Sequence, residues 1–176
     1  NVMYDDMAEV VLGWLESLDR DVTVAFDPAT RVDDIPQPYL ARVLRRANWV
    51  LCNLAEATAL GGTDDALVAA RALTQRGESL SALVRRGAAG CVVAEHDAPA
   101  VEVEGFRTTV VDTNGAGDVH NGVFLAELAQ HVTPFDAARW ANAAAAMAVA
   151  RRGPATGPRR GEVEAFLASQ VEAEMT

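Results

Sequence analysis

The chain has 176 residues, of which 50% are hydrophobic and 23% are charged, and its 15 basic and 25 acidic residues give a formal net charge of −10. This composition is that of a globular domain with a core of its own, and the negative charge argues against broad binding of nucleic acids or anionic membranes. No apolar run is long enough to cross a bilayer, and the first ten residues lack the basic region and apolar core of a signal peptide, so we expect a cytoplasmic protein.

The basic and sulfur-containing residues exclude two further classes of site. All 15 basic residues are arginine. A Walker A phosphate loop needs a lysine, so that route to nucleotide binding is closed. Cys52 and Cys91 stand far apart in apolar runs and are expected to be buried, reduced thiols. With three histidines and no C-x-x-C motif, a zinc site is not expected.

The first third of the chain alternates helical and extended patterns. Residues 4–19 predict an amphipathic helix, whose apolar positions are Met7, Val10, Val11, Trp14, Leu15 and Leu18. A short apolar run at 22–26, ended by an Asp-Pro pair, predicts a buried strand. A short amphipathic helix follows over 36–47, and residues 49–52 predict a second buried strand.

The middle of the chain continues this alternation. After a pair of glycines, Thr63 or Asp64 is expected to cap a helix that ends at Gly77. Extended segments are predicted beyond that helix over 81–86, 91–95 and 101–111, with a tight turn after the first and a break at Gly105 in the last.

The last third is mostly helical, with helices predicted over 118–131, 134–152 and 161–175. The three tryptophans lie in apolar patterns and are expected in the core: Trp14, Trp49 and Trp140. Because strands alternate with helices and the early strands are continuously apolar, the chain is predicted to be an α/β protein with a mainly parallel sheet covered on both faces.

Residues 112–118, "DTNGAGD", stand where an extended segment meets the start of a helix. The first N–H groups of a helix lack intrahelical partners, and glycines let these groups approach an anion closely. A carboxylate beside such a pocket, Asp118, could take a proton from a hydroxyl that attacks a phosphate held there. As a generic Gly-rich turn, the same stretch would use Asp118 only to cap the helix. A dinucleotide fingerprint would need a third glycine where His120 stands.

Five motifs in order give this sequence a resemblance to the ribokinase-like, or PfkB-type, carbohydrate kinases. The motifs are "FDPATR" (26–31), "NLAEA" (53–57), "RRGAAG" (85–90), "DTNGAGD" (112–118) and "ANAAAAMAVARRG" (141–153). The resemblance implies a ribokinase-like, three-layer α/β/α fold. It also implies that residues 1–176 form a single α/β domain, the C-terminal, nucleotide-binding portion of such a kinase.

The resemblance further implies an ATP-dependent sugar kinase and assigns the phosphate-binding loop. Asp118 would be the catalytic base. The transferring phosphoryl group would lie in an anion hole formed by Asn114, Gly115, Ala116 and Gly117. A nucleoside kinase of the same fold remains open as an alternative, and so does a nucleotide-binding fragment without turnover.

Metal and nucleotide contacts follow from the same resemblance. Asn53 and Glu56 would position Mg²⁺ through water, although alone they would be a helix-capping pair. Asp112 and Gly153 resemble the family's loop for a monovalent cation such as K⁺. ATP would be bound by Arg85, Gly87, Gly90 and Asn142. Taken alone, Arg85 would be a solvated strand-end arginine and Asn142 a buried amide bonded to backbone.

Two features depart from the family pattern. The family usually has a small residue and then Phe after the signature Asp, whereas this chain has Val119 and His120. For His120 an ordinary helix-surface or packing role is favoured over a contact with the substrate. Nothing in the chain resembles the family's N-terminal half and β-sheet lid, which supply most contacts to the phosphoryl acceptor. We therefore expect the missing half, or a second copy of the chain, as a partner, with ATP and a small sugar or nucleoside as ligands.

Overall fold

The computed structural model describes residues 7–29 and 32–174. The chain divides into two compact units. The first comprises residues Asn1–Arg86 and Val92–Glu102, and the second comprises Gly87–Cys91 and Val103–Thr176. Among the described residues, no helix combines the length and hydropathy that a membrane span requires.

The first unit is built on a sheet with the strand order β1-β2-β3-β4-β5. Strands β1, β2 and β3 are parallel, with Ala25 opposite Trp49 and Trp49 opposite Ser81. The predicted α/β class with a mainly parallel sheet is thus confirmed. The elements are α1 (Ala8–Ser17), β1 (Ala25–Phe26), α2 (Gln37–Arg46), β2 (Trp49–Asn53), α3 (Leu54–Gly61), α4 (Ala66–Thr74), β3 (Ser81–Arg85), β4 (Cys91–Ala94) and β5 (Val101–Val103).

The core of the first unit lies around β2 and β3, whose central residues are buried on both faces. Leu12 of α1, Leu44 of α2 and Leu73 of α4 are fully buried in the same hydrophobic cluster. Each such side chain contributes about 1.5–3 kcal/mol by leaving water. This burial on both faces explains why the sequence shows continuous apolar runs in these strands.

The prediction that Trp14 lies in the core is wrong. Trp14 is 61% exposed, and Met7 and Val10, which lie on the same side of the helix, are also more than half exposed. The helix carries two apolar stripes, and the one that packs is formed by Ala8, Leu12 and Leu15. Of the other tryptophans, Trp49 is buried as predicted and Trp140 is half-buried against a hydrophobic cluster.

Several predicted ends are also corrected. The N-cap of α4 is Asp65, not Thr63 or Asp64, because its Oδ1 accepts the N–H groups of Leu67 and Val68 at 2.9 and 3.1 Å. That helix ends at Thr74 rather than at Gly77, whose missing Cβ leaves room for the carbonyl oxygen of Leu44.

Two predicted strands are shorter than their apolar runs. The strand predicted over 22–26 is reduced to two half-buried residues, Ala25–Phe26, at the end of the sheet order. The extended segment predicted over 101–111 keeps strand structure only to Val103. Beyond Val103, Val110 and Val111 are more than half exposed, and the N–H of Val111 donates to the carbonyl of Val149, outside any strand.

The second unit contains the helices α5 (Ala116–Ala129), α6 (Pro134–Val149) and α7 (Arg160–Glu174). Alanines on the buried face of α6 allow close helix packing, and Val163 and Leu167 of α7 pack against Ala143 and Ala144. All three helices meet at one ion pair: Arg160 of α7 binds the buried carboxylate of Glu127 of α5 and lies 4.7 Å from the ring centroid of Trp140 of α6.

Candidate functional site

In the second unit, α5 begins in the middle of the Gly-rich loop. Gly115 is its N-cap, with φ of +75°, and no side chain caps the helix. A Cβ at position 115 would overlap the carbonyl oxygen of Pro154, so the approach of loop 153–154 requires glycine here. The start of α5 is therefore shaped by backbone alone.

The hydrogen bonds of this loop leave three amides without partners. The N–H of Asn114 is accepted by Oδ1 of Asp112 at 3.0 Å, and the N–H of Ala116 by the carbonyl of Thr113 at 3.2 Å. Within the described residues, no acceptor faces the N–H groups of Gly115, Gly117 or Asp118. Adjacent free amides at a helix start, where the helix dipole is positive, suit an anion such as a phosphoryl group.

Asp118 lies in the first turn of α5 and is exposed. Its carboxylate does not cap the helix, so the interpretation of Asp118 as a structural cap is wrong for this structure. The described residues offer its carboxylate no hydrogen-bond partner. It is thus an accessible proton acceptor next to the free amides.

Asp112 ties this loop to the loop after α6. Its Oδ1 accepts the N–H of Asn114, and its Oδ2 accepts the N–H of Gly153 at 2.9 Å. These two backbone hydrogen bonds hold the pKa of Asp112 below its ordinary value. Asp112 and Gly153, predicted together as a cation loop, are therefore neighbours in the structure.

The predicted nucleotide residue Asn142 is buried on α6, with 6% of its surface exposed. Its Nδ2 donates to the carbonyl oxygens of Val103 and Glu104, both at 3.0 Å, and its Oδ1 lies 2.9 Å from Nε2 of His120. Asn142 is therefore a buried amide bonded to backbone, which is the alternative that the sequence analysis gave beside a contact with ATP. His120 is buried, which agrees with the packing role favoured for it.

Gly87 and Gly90 form a tight turn before β4, closed by a hydrogen bond from the N–H of Gly90 to the carbonyl of Gly87. Both residues have positive φ, but their surroundings differ. Nothing lies within 4 Å of a Cβ built on Gly87, whereas a Cβ on Gly90 would overlap the carbonyl oxygen of Val103. Gly87 is therefore the open side of the turn, and Gly90 is its packed side.

In the first unit, Asn53 and Glu56 form a complete capping box at the start of α3. Oδ1 of Asn53 accepts the N–H of Glu56 at 2.9 Å, and Oε2 of Glu56 accepts the N–H of Asn53 at 2.8 Å. Glu56 is buried, and no described group hydrogen-bonds its other carboxylate oxygen, Oε1. A carboxylate oxygen fits the preference of Mg²⁺ for oxygen ligands, with retained waters completing its shell.

Arg85 ends β3 with its guanidinium between two carboxylates. Its Nη2 lies 3.3 Å from Oδ2 of Asp27 and 3.8 Å from Oε2 of Glu56, and its side chain is 14% exposed. Asp27 follows β1 directly, so three parallel strands deliver these groups to one edge of the sheet. In open α/β sheets the carboxyl ends of the strands are where ligands bind.

Sequence reasoning missed Asp27 as a partner of Arg85. The two residues are 58 positions apart, and their proximity depends on strand register, which a single sequence does not state. The Asp-Pro pair after an apolar run was the available signal, but it indicated only the end of a strand. Among the described residues, no group of three or more His, Cys, Asp or Glu side chains could hold a metal ion unaided.

Comparisons with known proteins identify the family of this chain. Residues 4–160 match the sequence model described as the pfkB family carbohydrate kinases. The uncharacterized sugar kinase YegV of Escherichia coli K12 is 33% identical over 168 residues, covering 88% of this chain and 49% of that protein. The chain thus spans about half the length of this curated relative.

Solved structures show the same fold. Ribokinase of Thermotoga maritima is 28% identical with a TM-score of 0.77, and the match covers 91% of this chain and 53% of that chain. An Escherichia coli neighbour in complex with ATP and Mg²⁺ is 24% identical with a TM-score of 0.78, covering 93% of this chain and 54% of its own. Nucleoside kinases are also among the structural neighbours. The predicted ribokinase-like, three-layer α/β/α fold is confirmed.

Proposed function

Because the chain belongs to the pfkB family of carbohydrate kinases, as its motifs predicted, we propose that it carries the nucleotide-binding portion of an ATP-dependent kinase that phosphorylates a sugar hydroxyl. One observation supports this most directly: three unpartnered amides at the start of α5 lie beside an exposed carboxylate, Asp118, that does not cap the helix. Such a pair supplies an anion site and a base to the same reacting group.

In this proposal Asp118 accepts the proton of the acceptor hydroxyl. The acceptor oxygen forms a bond to the γ-phosphorus while the bond from that phosphorus to the β–γ bridging oxygen breaks, and ADP leaves. Of the predicted anion hole, Gly115 and Gly117 would hold the transferring phosphoryl group by their free N–H groups, with that of Asp118, whereas the N–H groups of Asn114 and Ala116 are taken within the loop. Fixed dipoles of this kind stabilise charge that develops in the transition state without having to reorganise.

A Mg²⁺ ion held in this site would supply positive charge that neutralises the phosphates of ATP. Glu56, oriented by its capping box with Asn53, would hold that ion through water by Oε1, the oxygen that the box leaves free. A monovalent cation such as K⁺ would lie at the loop that Asp112 and Gly153 join. These metal assignments rest on the family resemblance and on the oxygen donors present.

The nucleotide would be held mainly by backbone and by arginine, since the chain has no lysine. The open side of the turn at Gly87 allows backbone to approach the nucleotide, and Gly90 supports that turn by packing. Arg85 would contact the phosphates from its place beside Asp27. Asn142 would act at the adenine edge through the backbone that it holds at Val103 and Glu104.

The base assignment is tested by Asp118→Asn in the purified protein. We expect kcat to fall by about 10²- to 10⁴-fold, the usual contribution of a general base, while ATP affinity measured by calorimetry stays within a few fold. Asp136→Asn is the matched control, because Asp136 is the third residue of α6 just as Asp118 is the third residue of α5. Unchanged turnover of Asp118→Asn would refute the assignment.

The acceptor is a separate question. Nucleoside kinases share the fold, so a nucleoside is the second candidate acceptor. A panel of sugars and nucleosides with Mg²⁺ and radiolabelled ATP distinguishes the two, and phosphorylation of adenosine without any sugar would reverse our order. Contacts to the acceptor would come from residues beyond this sequence or from a second copy of the chain, since the curated relative is about twice as long. We propose a cytoplasmic location, where ATP and sugars are available.

A further inference from the structure

His120 and Asn142 are buried polar side chains of the second unit, with 4% and 6% of their surfaces exposed. Burying a polar group is unfavourable unless its hydrogen bonds are made. The two side chains meet at 2.9 Å, across the packed helices α5 and α6. Their hydrogen bond therefore links the positions of α5 and α6.

The roles of the atoms follow from the partners of Asn142. Its amide faces two backbone carbonyl oxygens, of Val103 and Glu104, and a carbonyl can only accept a hydrogen bond. The NH₂ group must therefore point at these carbonyls, which leaves Oδ1 facing His120. Since Oδ1 can only accept, His120 must donate from Nε2–H. The two carbonyls thus fix which way the Asn142 amide points, and the hydrogen bond from His120 satisfies its remaining oxygen and holds the side chain in place.

The backbone segment held by Asn142 packs directly against the turn Gly87–Gly90, here called the nucleotide turn. Gly105 follows Glu104 directly, and a Cβ on Gly105 would lie 2.8 Å from the backbone nitrogen of Gly90. A Cβ on Gly90 would in turn overlap the carbonyl of Val103. The backbones of 103–105 and 87–90 are therefore in direct contact with no side chain between them. Displacement of one must displace the other.

We propose that His120 is a positioning residue that sets the nucleotide turn at Gly87–Gly90 through Asn142 and the backbone of 103–105. His120 lies two residues after Asp118 on α5, so one helix carries both the proposed base and the donor that orients this relay. The relay fixes the turn that receives the nucleotide relative to the loop that receives its γ-phosphate. The proposal rests on the proposed function for its link to ATP, but its structural half stands without it.

Two substitutions separate the hydrogen bond from the shape of the side chain. His120→Phe keeps an aromatic ring and removes the donor, whereas His120→Gln offers an N–H at the place of Nε2. We expect His120→Phe to raise the KM for ATP by about fivefold, the effect of one ordinary hydrogen bond, with kcat changed much less. His120→Gln should restore the KM of the wild type.

Hydrogen exchange of the ATP-free protein tests the relay independently of turnover. In His120→Phe we expect faster exchange at the Gly90 amide and in 103–105, and native rates in His120→Gln. Phe124→Leu, a change of another fully buried residue of α5, is the control for lost packing.

Unchanged exchange at 87–90 in a folded His120→Phe variant, or an equal effect of Phe124→Leu on this turn, would overturn the proposal. The same holds if His120→Gln behaves like His120→Phe in both assays. A different outcome would separate the two proposals: if His120→Phe changes exchange as expected but the protein never phosphorylates a sugar or nucleoside, the proposed function is refuted and the relay stands.

Discussion

Asn142 shows how a residue can be found from sequence while its contacts are not. Its position in the motif "ANAAAAMAVARRG" marked it as a nucleotide residue, and the structure gives its amide three partners inside the protein. Two of these partners are backbone carbonyls about 39 residues away. Because every residue has a backbone carbonyl, the sequence does not reveal which ones an amide will contact. Its direct contact with adenine stays a prediction, and its structural role is the part that the fold adds.

Asp118 is the opposite case at the same scale. Its accessibility follows from local geometry, because a helix capped by glycine backbone leaves the carboxylate of its first turn free. The pattern of small residues before an Asp, together with the other four motifs, predicted a phosphate-binding loop, and that role stays a prediction. What the structure adds is which N–H groups of the loop are free: Asp112 and Thr113 accept those of Asn114 and Ala116, and no described residue accepts those of Gly115 and Gly117.

The two glycines of the nucleotide turn, Gly87 and Gly90, should lose different amounts of folding free energy when each is replaced by alanine. Gly87→Ala should cost about 1–2 kcal/mol of folding free energy, because only the positive φ is unfavourable there. Gly90→Ala has the same backbone penalty and a clash with the Val103 carbonyl, so we expect about 3 kcal/mol or more. Urea denaturation followed by circular dichroism measures both. Equal losses would show that the turn can move away from 103–105.

At the scale of elements, capping chemistry explains which helix boundaries the sequence could predict. Thr133 and Pro134 start α6 as predicted, because Thr133 accepts the N–H of Asp136 and proline occupies the first helical position. The start of α4 was placed one or two residues early, because Thr63, Asp64 and Asp65 are all good caps and only geometry selects one. Tertiary packing likewise decided which stripe of α1 is buried, so Trp14 could not be placed from periodicity alone.

The start of α7 predicts a pH-dependent contribution to stability from Glu162. Its carboxylate accepts the N–H of Arg159 at 2.7 Å and a hydrogen bond from Arg151 at 2.9 Å, and these bonds lower its pKa from the ordinary 4.5. A carboxyl with a lowered folded pKa stabilises the protein above its unfolded pKa, and the contribution disappears as the pH falls through the folded pKa.

Glu162→Gln should therefore lower the Tm at pH 7 and have progressively less effect below pH 4.5. Thermal unfolding of both proteins at a series of pH values from neutral to acid checks this. Glu164→Gln is a suitable control, since Glu164 is an exposed carboxylate two residues further along the same helix. A Tm difference that stays constant with pH would contradict the assignment to the ionised carboxylate.

At the scale of the molecule, the alternation of elements predicted the class of fold but not the division of the chain into two compact units. Parallel strands and helices were visible as alternating patterns, whereas the two compact units interleave in sequence at 87–91 and 92–102. A boundary of that kind has no linker composition to reveal it. The absence of lysine, by contrast, has a molecular consequence readable from sequence alone: phosphate must be held by arginine and by backbone amides.

The two cysteines lie on two strands of the sheet and offer probes of its unfolding. Cys52 lies on β2 and Cys91 begins β4, and neither has exposed surface. Burial raises the pKa of the Cys52 thiol to about 12, so at pH 8 only about one such group in 10⁴ is the reactive thiolate. We expect neither thiol of the native protein to react with Ellman's reagent within minutes.

With Cys91→Ala the remaining thiol reports unfolding around β2, and with Cys52→Ala it reports unfolding around β4. In rising urea each thiol should become reactive only where the protein loses circular dichroism signal, because labelling requires removal of the packing that excludes water. Mg²⁺ and ATP should shift the Cys52 labelling midpoint upward if Glu56 and Arg85 bind the nucleotide as proposed, because a ligand of the folded state stabilises it. An unchanged Cys52 midpoint in a protein that binds ATP would remove Glu56 and Arg85 from the nucleotide site.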